Sequence, residues 1–397
     1  MDSIVARPLG LYRLETRGAR RRMISTISYL TTVKLGYGAL AVLPDELTRL
    51  GIGRPLIVTD RGLVASGLVD RIRAVLPAAP VYDGTPANPT EAACEGAARL
   101  HGREGCDGFI GFGGGSSMDL AKGAAVLVTH PAPLGQYAAA NKGVDRIKSN
   151  VAPVIAIPTT AGTGSEVGRG AVIIMKYGRK LGVVSPYLFP KVAICDPELT
   201  LDLPRGLTAA TGLDALAHCV ETFCSPLVNP PAEAIALDGV ARIVEHLPRA
   251  VANGHDREAR WQMMAAAMEG AMAFQKGLGA VHSLSHALGA LPGRTLHHGT
   301  LNAILMPAVM RANAASIGPQ KLARLRRALG IADDADIPAW FAGLNTRLGI
   351  PSGLGALDVK PSEYEGVAQQ AMLDHCHATN PRPLNVPEYV AILQEAQ

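Results

Sequence analysis

Strand signals stop at Pro204, and that break constrains the fold more than any other feature of the 397-residue chain. Before it, short apolar runs bounded by glycine, proline or aspartate recur at 55–59, 81–82, 108–112, 151–157, 171–175 and 192–195. Runs of that length and flanking read as buried strands of a parallel sheet rather than as helices. After Pro204 the chain is rich in alanine and leucine with helical periodicity, as in AEAIALDGVARIVEHL, ARWQMMAAAMEGAMAF and LARLRRALG, broken by short Gly, Pro and Asn turns. The expectation is an α/β N-terminal domain with a parallel sheet over 23–205 and an all-helical C-terminal domain over 206–397.

Composition narrows the class. Hydrophobic residues make up 48% and charged residues 18%, which is globular rather than disordered. No apolar run reaches the ~18–20 residues that a membrane helix needs, so no membrane partner is expected. The six cysteines form no CxxC pair or framework spacing, which suits a reduced, cytoplasmic protein. Residues 1–22 hold six arginines against two acids, and so carry all of the formal excess of +4. A basic extension of this kind, with Met23 as an alternative start, is not a nucleic-acid surface, and no nucleic-acid partner is expected.

Ligating side chains concentrate in one stretch. Residues 277–307 hold His282, His286, His297 and His298, four of the eleven histidines. Residues four apart on a helix share a face, so His282 and His286 can point into one pocket, and the Pro/Gly turn at 292–293 lets the chain return with His298. A second pair at the same spacing, Asp214 and His218, lies in TAATGLDALAHCVETF. Imidazole and carboxylate together suit a borderline cation, Fe²⁺ or Zn²⁺.

Two loops read as nucleotide contacts. The strand at 108–112 runs into GGGSSMDLAK, where glycines allow close approach to a ligand and a helix beginning near Ser116 offers free N–H groups and a positive dipole end. The strand at 151–157 feeds PTTAGTGSEVG, rich in hydroxyl and amide donors. Asp60 stands at the end of the strand at 55–59, either as a ligand contact or as the cap of the next helix. The site is expected between the two domains.

Together these segments resemble the iron-containing (group III) alcohol dehydrogenase family from about Gly36 onward. The matching motifs are RPLIVTD (54–60), NPT (88–90), GGGSSMDLAK (113–122), PTTAGTGSEV (158–167), DPELT with TAATGLDALAHCVE (196–221), GLGAVHSLSHALG (277–289), HHGTLNAILMP (297–307) and TNPRP (379–383). The resemblance implies a dehydroquinate synthase-like architecture, with an NAD-binding first domain and a metal-binding second. It implies that Asp214, His218, His282 and His298 hold the metal, Fe²⁺ or Zn²⁺. A short insertion before His297 leaves that residue as a competing ligand. It places Gly114, Gly115 and Ser116 on the pyrophosphate, Asp119 beside the nicotinamide, and Asn88, Thr159, Thr160 and Thr163 along the cofactor. Asp60 matches the acidic position that prefers NAD over NADP, and His286 lies near the substrate as a proton relay. Gly168 replaces a threonine common in the family, and Arg169 follows it. The implied reaction is metal-assisted hydride transfer between a small alcohol or hydroxy acid and NAD, in a homodimer. The alternatives are an oxo-acid reductase resembling maleylacetate reductase and a lyase resembling dehydroquinate synthase.

Overall fold

The structure, a computed structural model, describes Tyr29 and residues 31–397. The arginine-rich extension expected over 1–22 lies outside the described residues. Eight strands are present among the described residues: β1 (Thr32–Leu35), β2 (Pro55–Val58), β3 (Val81–Tyr82), β4 (Gly108–Gly113), β5 (Val154–Pro158), β6 (Gly170–Ile174), β7 (Lys180–Val184) and β8 (Val192–Cys195). Six of them form one parallel sheet in the order β1–β8–β5–β4–β2–β3.

Both faces of that sheet are covered. Leu56, Val58 and Phe109 pack with α4 (Glu91–Arg103) and α5 (Gly115–Leu127) on one face. Ile57, Ile110 and Phe112 pack on the other with α1 (Leu43–Leu50) and α3 (Val69–Val75), while α2 (Arg61–Ala65) follows β2. Burial on both sides explains why GFIGFG and VIAIP are continuous apolar runs rather than alternating ones. From β2 the chain crosses to β3 on one side and then returns to β4 on the other, so the strand order reverses between β2 and β4. The crevice outside the carboxyl ends of strands at such a reversal is where open α/β sheets bind ligands.

Two strands carry no clear signal in the sequence. TVKL in β1 is short, at the sheet edge and partly exposed. KLGVV in β7 pairs antiparallel with β6 in a separate two-stranded hairpin, so the strand expected at 171–175 exists but stands outside the parallel sheet.

From Arg205 the described chain is helical: α6 (Arg205–Cys224), α7 (Pro230–Ala252), α8 (Arg257–Ala273), α9 (Ala280–Gly289), α10 (His298–Ile317), α11 (Pro319–Leu329), α12 (Ile337–Leu348), α13 (Tyr364–Met372) and α14 (Val386–Glu395). Helix α6 is the axis of this half. Every residue from 208 to 224 is buried, which accounts for a segment apolar or small all round rather than amphipathic. No helix among the described residues is long and apolar enough to cross a membrane.

Candidate metal centre and cofactor cleft

A cleft of about 1870 Å³ separates the carboxyl edge of the sheet from the helical half, and every candidate site residue named from the sequence lines it. That volume exceeds the ~300–1,000 Å³ of an ordinary small-ligand pocket, leaving room for a dinucleotide and a substrate together.

At its floor three helices bring donors together. Asp214 and His218 are one turn apart on α6, His282 is on α9, and His298 opens α10. The nearest Asp214 oxygen, Oδ1, lies 3.9 Å from His218 Nε2, 3.8 Å from His282 Nε2 and 3.6 Å from His298 Nε2. Donors about 2.1 Å from a common tetrahedral ion stand roughly 3.4 Å apart. Donor atoms of Asp214, His218 and His282 all lie within 4.8 Å of one another, close to what a shared ion needs, while His298 reaches the same carboxylate from α10 and would draw in, with the Asn302 amide moving aside, to complete four ligands. The histidine before glycine, His298, is the one in the cluster. His297 precedes the helix, and its Nδ1 lies 3.5 Å from Thr300 Oγ1. Gly299 makes the approach possible: a Cβ there would stand 2.1 Å from the Ala210 carbonyl oxygen, so only glycine lets the start of α10 lie against α6.

The surroundings favour a cation at this point. Burial alone would raise the Asp214 carboxyl, but the three imidazoles hold it well below the usual carboxylate range. Burial pushes His218 down to about 4 and His298 well below its ordinary value, so both rings are neutral ligands near pH 7. Burial also works to lower His282, but the carboxylates of Asp214 and Glu221 outweigh it and raise the ring to about 9. A positive charge is thus stabilised here, whether carried by a proton or a metal ion.

Two residues that the sequence reasoning passed over complete the cluster. Glu221 accepts from Val281 N at 2.7 Å and lies 2.6 Å from His282 Nδ1, so it receives the first turn of α9 and turns the His282 Nε2 lone pair toward Asp214. Asn302 Nδ2 donates to Asp214 Oδ1 at 2.6 Å and lies 3.2 Å from His298 Nε2 and 3.3 Å from His282 Nε2. Both were legible as helical spacing: Glu221 is three residues past His218, and Asn302 four past His298.

His286 does not enter the cluster. Its ring stacks on His298 at 5.3 Å, and its Nδ1 is 3.0 Å from Asp374 Oδ2, 88 residues away.

The cofactor side follows the strand ends. Gly114 caps α5 without a side chain, leaving the first N–H groups of the helix facing the cleft. A Cβ on Gly115 would stand 2.7 Å from Thr163, so glycine is required where the two loops meet. Thr159 N donates to Gly113 O at 3.0 Å, joining the loops after β4 and β5. Ser116 Oγ donates to Ala87 O at 2.6 Å, and Lys180 Nζ donates to Asn88 Oδ1 at 2.9 Å. Burial lowers Lys180 to about 8, and its ammonium adds positive charge to the cleft wall. Asp60 caps α2, its Oδ1 accepting from Leu63 N at 3.0 Å, and also lines the cleft.

Asp119 is more committed than the sequence suggests. Ser165 Oγ donates to its Oδ1 at 2.5 Å and Val172 N to its Oδ2 at 2.9 Å, so it ties the GSEV loop and β6 to α5. Lys122, wholly buried, does the same work by donating to Ser165 O, Gly168 O and Gly170 O at 2.7, 3.0 and 2.8 Å.

Comparison with known proteins gives the family. The iron-containing alcohol dehydrogenase model matches residues 31–197, and the C-terminal model of the Fe-containing alcohol dehydrogenase family matches 208–397. The chain is 52% identical to 4-hydroxybutyrate dehydrogenase of Cupriavidus necator over 93% of this chain and 99% of that one. The structure is similar to alcohol dehydrogenase from Oenococcus oeni, with TM-score 0.88 and 33% identity over 94% of this chain and all (100%) of that chain. It is also similar to sulfoacetaldehyde reductase from Bifidobacterium kashiwanohense in complex with NAD⁺, with TM-score 0.84 and 27% identity over 94% of this chain and 99% of that one. The chain belongs to the iron-containing alcohol dehydrogenase family. It is an NAD-dependent oxidoreductase that moves a hydride between a small alcohol or hydroxy acid and NAD.

Proposed function

We propose that Asp214, His218, His282 and His298 hold one divalent cation and that the loops after β2, β4 and β5 hold NAD above it. The observation that carries this reading is the convergence of three imidazole Nε2 atoms on one oxygen of a buried carboxylate, at 3.6–3.9 Å. That donor set lacks thiolate and accepts Fe²⁺ or Zn²⁺, and Fe²⁺ is the proposed occupant. When bound, the cation supplies Lewis-acid polarisation of the substrate oxygen, and the nicotinamide supplies the hydride acceptor.

The protein residues do the rest. N–H groups of Gly115 and Ser116 bind pyrophosphate, while Thr159, Thr160, Thr163 and Asn88 donate along the cofactor. Asp60 accepts from ribose hydroxyls and repels a 2′-phosphate, favouring NAD over NADP. Asp119 acts beside the nicotinamide by fixing the GSEV loop. His286, held through Nδ1 by Asp374, takes the alcohol proton at Nε2. The similarity to 4-hydroxybutyrate dehydrogenase supports a short ω-hydroxy acid as substrate. A cytoplasmic homodimer is the proposed state.

The test is NADH formation by protein purified without oxygen, stripped of metal and reloaded separately with Fe²⁺ or Zn²⁺, on 4-hydroxybutyrate, diols and primary alcohols. Metal-dependent NADH, fastest with the hydroxy acid, is expected. Equal rates in stripped and reloaded protein would overturn the ligand assignment, and equal rates on acid and alcohol the substrate assignment.

A further inference from the structure

Beside the Asp214 cluster a second set of donors converges. His286 Nδ1 lies 3.0 Å from Asp374 Oδ2, His375 Nδ1 3.5 Å from Asp374 Oδ1, and Cys376 Sγ 3.5 Å from His375 Nε2. One donor atom from each of these four residues falls within 4.8 Å of every other.

The frame explains the convergence. Asp374, His375 and Cys376 are consecutive in the turn after α13, and Cys376 N donates to Asp374 Oδ1 at 2.8 Å, closing that turn. Thr379 Oγ1 donates to Leu278 O at 2.6 Å, and Asn380 Oδ1 accepts from Ala280 N at 3.1 Å, so the turn is pinned to the start of α9. The pinning sets His286 opposite Asp374, with the His286 and His375 rings stacked at 5.9 Å.

We propose that His286, Asp374, His375 and Cys376 form a second, soft-cation site that takes Zn²⁺ in preference to Fe²⁺, and that filling it inhibits the dehydrogenase by engaging His286. Two imidazoles, a carboxylate and a thiolate are a zinc donor set, whereas the Asp214 cluster has no sulfur. Tetrahedral Zn²⁺ places such donors roughly 3.3–3.6 Å apart. His286 Nδ1 and Asp374 Oδ2 already stand 3.0 Å apart; His375 offers one ring nitrogen to an ion, and turning its side chain, 40% exposed, closes the remaining separations, all of which lie within 4.8 Å. His286, His375 and Cys376 line the main cleft, so an ion has a route in. Binding exchanges the Sγ–H bond of Cys376 for a metal–sulfur bond and releases that proton to solvent.

The test starts from the full-length enzyme carrying one divalent ion per chain and adds Co²⁺ or Zn²⁺ alone. Sulfur-to-cobalt charge-transfer absorption cannot come from the Asp214 cluster. Its appearance with a second equivalent of Co²⁺, its loss on adding Zn²⁺ and its absence in Cys376→Ser are expected. Elemental analysis should give two Zn²⁺ per chain in the parent and one in His375→Ala, and Zn²⁺ inhibition should weaken at least ~10-fold in that variant. One ion per chain with no sulfur band, or the same band in Cys376→Ser, would overturn the site. Two ions with unchanged inhibition in both variants would overturn the inhibitory role.

Discussion

The Asp214 cluster stands on three helices, with Asp214, His218 and His282 side chains only 3%, 6% and 2% exposed and His298 23%. The Asp374 cluster takes three of its four donors from one turn, and its His375 is 40% exposed. Both contain imidazole and carboxylate, yet the frames differ. Helices buried on every side hold Asp214, His218 and His282 at separations set by packing, with Glu221 against the His282 ring, so an ion would meet donors already in place. A turn can close around an ion only by moving, and its donors are each other's hydrogen-bond partners until it does. The first frame suits catalysis and the second suits reversible capture.

Removing a donor from the rigid cage should have the largest effect. His282→Ala is expected to lose metal and NADH formation together while keeping its circular dichroism spectrum; retained metal with full activity would show that the cage does not hold the catalytic ion. Next comes the support behind that donor. Glu221→Gln keeps the shape but removes the charge facing His282 Nδ1, and metal affinity should fall about 10–100-fold by competition with a chelator. An unchanged affinity would mean that packing alone orients the ring.

Smaller effects separate the two frames. An ion bound only by the native cage, at about 100 times its Kd, adds ~2.7 kcal/mol of stability. Stripping the first ion should therefore lower the melting temperature by several degrees, whereas filling the turn should shift it less; equal shifts in calorimetry would erase the distinction between cage and turn. The least effect is expected on the far side of the cleft. Gly115→Ala sets a Cβ 2.7 Å from Thr163, so KM for NAD should rise about tenfold, or ~1.4 kcal/mol, with metal content unchanged. An unchanged KM would show that Thr163 moves aside freely.

Local pattern carried much of this. The runs GFIGFG and VIAIP announce buried strands, and the spacing of Asp214 with His218 and of His282 with His286 announces shared helical faces. Glu221 and Asn302 obey the same spacing and were readable in principle. Strand β7 was not, because KLGVV finds its partner only in the hairpin with β6, and with it Lys180 went unseen. Asp119 looks like a cofactor contact in the motif, but its partners, Ser165 and Val172, lie 46 and 53 residues away.

The sequence by itself determined the element types, the strand-to-helix change at Pro204 and which side chains could ligate, because 2.0 and 3.6 residue periods and donor chemistry are local properties. Only the tertiary structure decided which histidines meet. Gly299 lets α10 close on α6 and admits His298 rather than His297. The turn at 374–376, anchored to α9 by Thr379 and Asn380, draws His286 away to a second set of donors. Those choices depend on contacts between segments roughly 80 to 100 residues apart, for which no local period exists.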